Sequence, residues 1–497
     1  MTRFVNIGDL RKSAILQAVH QLGVCMGEDL YLVGGALRDS FTGKSAGKEF
    51  DFVMKGGVEN IANAFAREQK GAAFLLNDFF QTWRVVIGEG AERIELDFSP
   101  LQGKDIFEDL KRRDFTVNSM AVSLRELFSS ECWPVLDPLK GLEDLNQEIL
   151  RANSEESFLQ DPLRMLRAFR ISSIMGLKIE PRTYQWIQSQ KGLIFHSAGE
   201  RIRQEIFKAL ERSGAGSFFK NLYRSGLLDK IFPDIGGWNE EIKDGCSCSD
   251  LMEHAVGVVE AGEWILEHLF LFFPTYADNL ESHFSKPIEQ GINHRSLLKF
   301  FCFFHDSGQA ISKGGRENAN ETNRRKLEGN SPKINEMIAK RLKLSEKTVR
   351  IISELSDHFE YFPLLVVKGG IQPVLKYKFF NELGDRGIDL IVFGLAHELP
   401  GGKEKQFWSV QGVPVDFEKE KEIGDQLLHF YYEEYLERSI VPLINGRDIM
   451  EVLGLPPGKE IGEFLSSLEE AQMEGKIRTR EEALNYLKKL DRFNRFR

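Results

Sequence analysis

The chain has 497 residues, of which 42% are hydrophobic and 28% are charged, and its formal net charge is −10. This length and composition exclude a single small module, a disordered chain and a fibrous repeat, and they predict two to four globular domains. The acidic balance argues against a uniformly basic nucleic-acid binder. Two stretches are nevertheless basic, Lys313–Arg350 and Lys476–Arg497, and each either contacts phosphates or forms a solvated helix face.

Apolar runs and cysteines bear on the compartment of the protein. No apolar segment approaches the ~20 residues that a membrane span needs, and Met1 to Ala14 contains no signal-peptide core. The five cysteines are too few and too scattered for a disulfide framework, and Cys246-Ser-Cys248 lacks the second pair that a zinc site needs. We therefore expect a cytoplasmic protein without membrane insertion.

The residue pattern changes along the chain. Strand-like alternation marks four segments before residue 125 or so, namely Asp29–Val33, Phe50–Met54, Thr82–Ile87 and Arg93–Asp97. After about Leu150 the period is helical, as in Leu163–Ile174 and Ile202–Leu210. The pattern predicts an α+β fold in which an α/β head with a mixed sheet precedes a mostly helical remainder.

Turn-rich segments supply candidate domain boundaries. They are Pro233–Trp238, Lys313–Asn323 and Pro400–Pro414. We predict four parts: a head at 1–150, a helical neck at 151–235, a helical body at 236–400 and a helical tail at 401–497.

A glycine pair ends the first predicted strand. Gly34 and Gly35 let backbone N–H groups approach a phosphate closely, and Arg38 one helical turn later can reach the phosphate oxygens. The same pair is also consistent with a tight strand-to-helix turn that binds nothing.

Acidic residues alternate with apolar ones on two of the predicted strands. Glu49 and Asp51 are two residues apart, so both carboxylates face the same side of a strand. Such a pair suits Mg²⁺ bound together with a substrate triphosphate, and Asp97 on a later strand could complete a three-carboxylate site. The alternative is a surface strand whose acids face water.

The chain resembles the class II tRNA nucleotidyltransferases and the related bacterial poly(A) polymerases. The resemblance rests on motifs in that family's order: Gly34-Gly35-x-x-Arg38-Asp39, Glu49-x-Asp51, Arg112 to Asn118, Asp161 to Arg167 and Glu200 to Glu205. Pro442 to Gly446 and Glu474 to Ile477 also resemble the tail of bacterial members. The resemblance therefore extends over nearly the whole chain.

The resemblance implies a division of labour among these residues. Glu49 and Asp51 would bind two Mg²⁺ ions, one lowering the pKa of the RNA 3′-hydroxyl and one holding the triphosphate. Gly34, Gly35 and Arg38 would cradle the triphosphate. Arg113 and Asp114 would contact the sugar of the incoming nucleotide, and Asp161 and Arg164 would contact its base. Arg167, in the same motif as Arg164, would be a further nucleotide contact.

Some of these residues also have plain structural interpretations. Asp161 before Pro162 is typical of a helix N-cap, a role that is compatible with base reading. Glu200 is better explained by a capping box that begins at Ser197. Arg112 and Arg113 could be a solvated pair, although their position in the motif favours function.

Three features depart from the family pattern. The family has aspartate where Glu49 stands and glutamate where Gln160 stands. Glu49 keeps the charge, whereas Gln160 removes one beside the base-reading face. The link from Phe98 to Lys111 is short, and members that add only the two C residues also lack a longer loop here. The short link and Gln160 favour partial addition of the C-C-A end.

The middle of the chain resembles the HD domain of many bacterial members. His254, His305 and Asp306 could hold a second divalent metal. Gln309 stands where lysine is usual, and Asp385 and Asp389 are the only later aspartates near enough to consider. We therefore favour a packed helical body over a hydrolytic centre. The remaining histidines, His358 and His397 among them, are assigned to core or surface.

The expected activity is untemplated addition of C, A or both from CTP and ATP to the 3′ end of tRNA, with binding to the acceptor arm through its phosphates and shape. Mg²⁺ is the expected cofactor. Two alternatives stay open: a bacterial poly(A) polymerase, which shares the head, and a catalytically silent RNA-binding homologue, which Glu49 and Gln160 would explain.

Overall fold

The structure is a computed structural model that describes ten ranges of the chain. They are residues 8–43, 47–90, 93–129, 135–233, 248–307, 331–367, 371–399, 417–436, 442–473 and 476–495. The chain forms two compact units, one made of Met1–Ala209 with Asn221–Ile231 and the other of Leu210–Lys220 with Phe232–Arg497. The four-part division stays a prediction, because its limits near 235 and 400 fall outside the described residues.

A six-stranded mixed sheet forms the head of the first unit. Its strands are β1 (Leu30–Val33), β2 (Glu49–Met54), β3 (Ala72–Asn77), β4 (Thr82–Ile87), β5 (Ile94–Pro100) and β6 (Ala121–Ser123). They lie side by side in the order β3-β4-β5-β2-β1-β6. Strands β2 and β5 are parallel, and the other neighbours are antiparallel. The four predicted strands are confirmed, whereas β3 and β6 were missed because β3 lacks polar alternation and β6 is very short.

Helices cover the sheet and continue beyond it. They are α1 (Gly8–Lys12), α2 (Ala14–Met26), α3 (Gly34–Phe41), α4 (Val58–Glu68), α5 (Ile106–Lys111), α6 (Leu124–Ser129), α7 (Gly141–Asn146), α8 (Glu156–Gln160), α9 (Leu163–Met175), α10 (Pro181–Gln190), α11 (Gly199–Leu210), α12 (Ala215–Ser225) and α13 (Leu227–Ile231). Two 3₁₀ turns, Thr116–Asn118 and Lys191–His196, and a parallel pair, β7 (Ile149–Leu150) and β8 (Lys178–Ile179), complete the set. The predicted helical remainder is confirmed.

Aromatic packing fixes the two central strands of the sheet. Phe52 on β2 and Phe98 on β5 are fully buried, and their rings stack with centroids 5.1 Å apart. Phe65 of α4 meets Phe98 edge-on at 6.2 Å. Because side chains alternate along a strand, this buried face turns Asp51 and Asp97 to the opposite face.

The short link after β5 is an ordered connection. β5 runs to Pro100 and α5 begins at Ile106, so only five residues lie between the two elements. Asp105 caps α5 by accepting a hydrogen bond from the Glu108 N–H at 2.9 Å. The Gln102 N–H also donates to Asp109 Oδ1 at 2.9 Å. The link predicted from Phe98 to Lys111 is therefore mostly the end of a strand and a helix.

The second unit is largely helical. Its elements are α14 (Cys248–Glu267), α15 (Leu269–Phe272), α16 (Ala277–Ser285), β9 (Pro287–Glu289), β10 (Ile292–Asn293), α17 (His294–Phe304), α18 (Ser331–Arg341), α19 (Glu346–His358), α20 (Tyr361–Val367), α21 (Pro373–Leu383), α22 (Arg386–Glu398), α23 (Glu418–His429), a π-helical turn (Phe430–Tyr435), α24 (Gly446–Leu453), α25 (Lys459–Met473) and α26 (Arg480–Arg495). Helices α14, α17 and α22 pack against one another. None of the described helices is long and apolar enough to cross a membrane.

Candidate active site

The carboxylates predicted to bind metal lie next to one another on the sheet. The parallel register of β2 and β5 pairs Asp51 with Asp97 and Glu49 with Glu95. Glu49 is exposed, and its side chain retains 66% of its accessible surface. Asp51 is half-buried at the point where β1 passes into α3, since Val33 pairs with Asp51.

Among the residues that the structure describes, no cation forms an ion pair with Asp51 that would balance its charge. The pKa of Asp51 is raised to about 6, mainly by burial. The neighbouring Asp97 and Glu49 also raise this pKa, and their effect exceeds the opposite effect of Arg113 and Lys208. Burial and like charges both disfavour the ionised form, and a bound cation removes the penalty. This carboxylate therefore has the electrostatics of a metal ligand.

Asp97 differs from Asp51 because Arg84 holds it. Arg84 Nε donates to Asp97 Oδ1 and Arg84 Nη2 to Asp97 Oδ2, both at 2.7 Å, which is a bidentate pair. Arg84 also donates to Glu95. The role of Asp97 as a third metal ligand stays a prediction, and both of its oxygens already accept hydrogen bonds.

The predicted phosphate cradle lies directly against Asp51. Gly34 begins α3 with a φ of +73°, and a Cβ added there would come within 2.6 Å of Asp51 Oδ2. Only glycine combines this left-handed backbone with such a close approach. The glycine pair at the start of α3 and the carboxylates of β2, which belong to different elements, therefore meet in one site.

Arg38 is fixed one turn into α3. Its Nε donates to Asp39 Oδ1 at 2.8 Å, and its Nη1 donates to Asn118 Oδ1 at 2.8 Å. The side chain is only 13% exposed. Arg38 is therefore held in one orientation before any anion binds.

A chain of hydrogen bonds runs from Arg38 into the neck helices. Asn118 Nδ2 donates to Asp114 Oδ1 at 3.0 Å, and Arg167 Nη1 donates to Asp114 Oδ2 at 3.1 Å. Arg167 Nη2 also donates to Glu205 at 3.2 Å. The successive members are Arg38, Asn118, Asp114, Arg167, Glu205 and Arg170. We call this series the neck network.

The carboxylates of the neck network are fully compensated. Burial alone would raise the pKa of Glu205, but Arg167 and Arg170 outweigh burial and lower it to about 2. The pKa of Asp114 is likewise lowered, because Arg167 and Asn118 outweigh the effect of burial. The predicted nucleotide residues Asp114 and Arg167 are thus paired with each other within the protein.

The predicted base-reading pair lies at the start of α9. The helix begins at Leu163, with Pro162 as N-cap, and Asp161 Oδ1 accepts from the Leu163 N–H at 3.3 Å. The other oxygen of Asp161 accepts from Arg201 at 2.9 Å. Arg164 Nη1 donates to Ser157 Oγ at 2.9 Å, and burial lowers the pKa of Arg164. Gln160, the residue before this pair, is exposed at the end of α8.

Two cations of this site were not predicted from the sequence. Lys208 of α11 places Nζ 3.6 Å from Glu49 Oε2. Arg84 faces Asp97 because β4 and β5 pair these two positions. The alternation of residues along β4 could have predicted the face of the strand on which Arg84 lies. The approach of Lys208 to Glu49 depends on tertiary packing. Arg113, which was predicted, pairs with Asp109 at 3.1 Å.

The second unit contains the predicted body cluster together with an unpredicted member. The possible metal ligands His254, His305 and Asp306 lie together, and their ligand atoms and one of His397 are all within 4.8 Å of one another. His397, which was assigned to core or surface, therefore lies beside the predicted ligands. Asp389 lies elsewhere, in a separate buried group with His283 and His294.

Hydrogen bonding in the body cluster leaves nitrogens available. His305 Nδ1 lies 2.8 Å from the Cys302 carbonyl oxygen, which places the proton on Nδ1. His305 Nε2 is buried without a hydrogen-bond partner among the described residues and lies 3.3 Å from Asp306 Oδ2. Burial lowers the pKa of His254 to about 4, so this imidazole is neutral. Gln309 lies outside the described residues.

Family models match three parts of the chain. The Poly A polymerase head domain matches residues 30–151, a model for an RNA and SrmB-binding site of polymerase A matches 176–237, and a model for tRNA nucleotidyltransferase domain 2 matches 409–487. These three models describe domains of tRNA nucleotidyltransferases and of poly(A) polymerases. Such enzymes use divalent metal ions.

Relatives that match along most of the chain are named after the nucleotides that they add to tRNA. A CC-adding tRNA nucleotidyltransferase of Geobacter sulfurreducens is 29% identical, with 92% of this chain and 91% of the relative covered. An A-adding tRNA nucleotidyltransferase of Deinococcus radiodurans is 28% identical, with 92% and 94% covered. The solved Thermotoga maritima CCA-adding enzyme with tRNA has the same fold, with a TM-score of 0.56, 19% identity, and 95% and 94% covered.

Proposed function

We propose that this chain is a tRNA nucleotidyltransferase that adds C, A or both, from CTP and ATP, to the 3′ end of tRNA without a nucleic-acid template. The match to the Poly A polymerase head domain and the names of relatives that align along most of the chain support this activity. The observation that carries the proposal is the Asp51 carboxylate, whose charge is uncompensated and which lies against the glycine that opens α3.

Glu49 and Asp51 are the residues that would hold the metal. A half-buried carboxylate with a raised pKa, beside a second exposed carboxylate, fits a hard dication with oxygen ligands. We assign Mg²⁺ to this site. When bound, it would activate the RNA 3′-hydroxyl and neutralise charge on the triphosphate. Asp97, held by Arg84, would act by keeping the site electronegative.

The triphosphate would lie along the start of α3. Backbone N–H groups at Gly34 and Gly35 and the fixed guanidinium of Arg38 supply donors for its oxygens. Lys208 reaches Glu49 from α11 and would add a positive charge on the other side. These groups bind every NTP equally, so they cannot choose the base.

Base choice would fall to Asp161 and Arg164. They lie at the start of α9, where a carboxylate acceptor and a guanidinium donor could together read a Watson–Crick edge. Arg113 and Asp114 would contact the sugar of the nucleotide. Because Arg167 is paired with Asp114 and Glu205, we assign it to positioning this surface.

The short link between β5 and α5 supports partial addition. Adding A after C requires the base-reading surface to exchange one hydrogen-bonding pattern for another, and a mobile loop is a lever for that change. Here Asp105 and Asp109 hold the link by capping and backbone hydrogen bonds. We therefore propose that only part of C-C-A is added.

Incubation with tRNA, Mg²⁺ and each labelled NTP separately tests the activity. Incorporation of C or A in one to three steps supports it, and Asp51→Ala is the inactive control. A long A tail on any RNA would indicate a poly(A) polymerase instead. No incorporation of any nucleotide, with tRNA binding retained, would indicate a silent RNA-binding protein.

Three tRNA substrates test partial addition. They end before the first C, after one C and after both C residues, and each is supplied with CTP and ATP together. We expect one class of end to stay unextended or to stop short. Efficient conversion of all three to the finished C-C-A end would refute partial addition.

We also propose that the body cluster binds a divalent metal. His305 presents a free Nε2 because the Cys302 carbonyl holds its other nitrogen, and His397 supplies a fourth ligand in addition to His254 and Asp306. The phosphohydrolase assay is release of phosphate from nucleotides with and without added metal. His254→Ala should remove any such release without affecting nucleotide addition.

A further inference from the structure

A second group of metal-type ligands is buried in the second unit. It consists of His283 at the end of α16, His294 at the start of α17 and Asp389 in the first turn of α22. We call these three residues the buried triad. The His283 and Asp389 side chains are 1% and 3% exposed, and that of His294 is 10% exposed. Neither the activity nor the body cluster uses them.

The ligand atoms of the buried triad are spaced as the ligands of a metal ion are. His283 Nε2 lies 3.2 Å from Asp389 Oδ2, and His294 Nδ1 lies 3.1 Å from both Asp389 oxygens. Charge-assisted hydrogen bonds of this type are shorter, about 2.7–2.9 Å. A tetrahedron with metal bonds of about 2.0–2.1 Å has edges of roughly 3.3 Å.

The position of His294 also fits a shared cation. Its Nδ1 is equidistant from the two carboxylate oxygens, whereas a single hydrogen bond would be directed at one of them. His283 Nε2 and His294 Nδ1 both lie against the same oxygen, Asp389 Oδ2, and the two imidazole rings are 4.3 Å apart between centroids. Asp385 and Lys286 are the other charged groups that act on His294.

The buried triad and the body cluster are separate sites on the same two helices. Asp389 and His397 are eight residues apart on α22, or about 12 Å at 1.5 Å per residue. His294 and His305 are separated by the full length of α17. Five of the ten histidines of the chain lie in these two groups.

We propose that the buried triad is a structural site for a transition-metal dication, with Zn²⁺ the best match to two imidazole nitrogens and one carboxylate oxygen. A water would complete the coordination. Because the site is closed to solvent, its ion ties α16, α17 and α22 together and takes no part in phosphate chemistry.

Cobalt is the probe, because nitrogen-ligated Co²⁺ of low coordination number absorbs strongly in the visible range, whereas a carboxylate and water site in the head absorbs weakly. The full-length protein is stripped with a chelator, loaded with Co²⁺ and dialysed. We expect two nitrogen-ligated equivalents in the wild type. The double variant His254→Ala/His397→Ala should retain one, and so should Asp389→Asn. His358→Gln is the control, since His358 belongs to neither group, and should retain two.

The double variant decides the question even where Asp389→Asn fails to fold, because it leaves the buried triad intact. If it retains no cobalt absorption, the triad is a metal-free hydrogen-bonded group and the proposal is wrong. Equal cobalt content in the wild type and a folded Asp389→Asn protein would also overturn it. Neither result depends on nucleotide addition.

Discussion

The first unit places two sets of acidic residues in different electrostatic environments. In the neck network, Glu205 and Asp114 have arginine partners within 3.3 Å, and the pKa of each carboxyl is lowered. On the sheet, the pKa of Asp51 is raised to about 6, because Arg113 and Lys208 do not outweigh burial and the neighbouring acids. The two regions are joined through Arg38 and Asn118.

This difference separates scaffold from binding site. A buried ion pair that is complete within the protein fixes geometry, and breaking it costs free energy of folding. A carboxylate kept close to other carboxylates destabilises the fold until a cation arrives. Removing one residue of the neck network is therefore expected to lower the free energy of unfolding. Replacing Asp51 should instead lower the rate of nucleotide incorporation and leave the fold intact.

The largest expected effect is on turnover when Asp51 is changed. Asp51→Ala removes a metal ligand and should lower nucleotide incorporation by roughly a thousandfold or more, with a normal circular-dichroism spectrum. Glu49→Asp should retain or raise activity, because the charge is kept. Glu68→Ala, an exposed carboxylate on α4, is the matched control. Asp51→Ala turnover within a few fold of wild type would show that the metal assignment is wrong.

The second effect is on stability when the neck network is broken. Glu205→Gln leaves Arg167 and Arg170 without their carboxylate and should lower the free energy of unfolding by about 2–4 kcal/mol at pH 7. Since the pKa of Glu205 is lowered to about 2, this stabilisation is present above its ordinary value and is lost as pH falls towards 2. Urea unfolding at several pH values measures it.

The matched control for that change is Glu200→Gln, an exposed acid in the first turn of the same helix. It should change stability by less than about 0.5 kcal/mol. Equal losses for the two variants would mean that Glu205 contributes no more than an ordinary surface acid.

The third effect is on the choice of nucleotide. Arg164→Ala should relax discrimination among NTPs by roughly 10- to 100-fold in kcat/KM ratios, since lost edge contacts penalise wrong bases less. Asp161→Asn should act in the same direction, while the KM for the preferred NTP changes little. Arg182→Ala on α10 is the control. If both variants keep the wild-type preference, these residues do not read the base.

The smallest effect concerns the cation beside Glu49. Lys208→Met should raise the KM for the Mg²⁺–NTP complex several fold, because a positive charge 3.6 Å from Glu49 is lost near the triphosphate. Lys208→Arg should restore most of it. A change in kcat alone, with KM unchanged, would place Lys208 outside nucleotide binding.

Predictions from the sequence were most successful for residues that lie close together along the chain. The alternation of Glu49 and Asp51 on one strand face and the start of a helix near Asp161 depend on local periodicity, and both are confirmed. Helical periodicity also contained an unused signal in α22, since Asp389 and His397 are about two turns apart and cannot serve one site.

Long-range partners were beyond the sequence. Lys208 reaches Glu49 through helix packing that no local pattern encodes, and the pairing of Arg84 with Asp97 depends on the register of β4 and β5. His397 was missed because an aspartate was expected in the body cluster. The pairing of Arg167 with Asp114 crosses 53 positions, and only the folded chain shows that this arginine is already engaged.

The most direct test of the difference between the sheet and the neck network is whether the charge of Asp51 destabilises the fold until a metal ion binds. The free energy of unfolding is measured for the wild type and Asp51→Asn from about pH 4 to pH 8, without metal and with Mg²⁺ and CTP. Because the folded-state pKa of Asp51 is raised to about 6, its penalty is absent below its ordinary pKa, grows as pH rises from there to about 6 and is fully present above 6. Asp51→Asn should therefore be more stable than wild type at pH 8 by roughly 1–3 kcal/mol without metal. Mg²⁺ with CTP should close this gap by stabilising only the wild type. An Asn variant that is less stable at pH 8, or an equal response of both proteins to Mg²⁺ with CTP, would contradict the account.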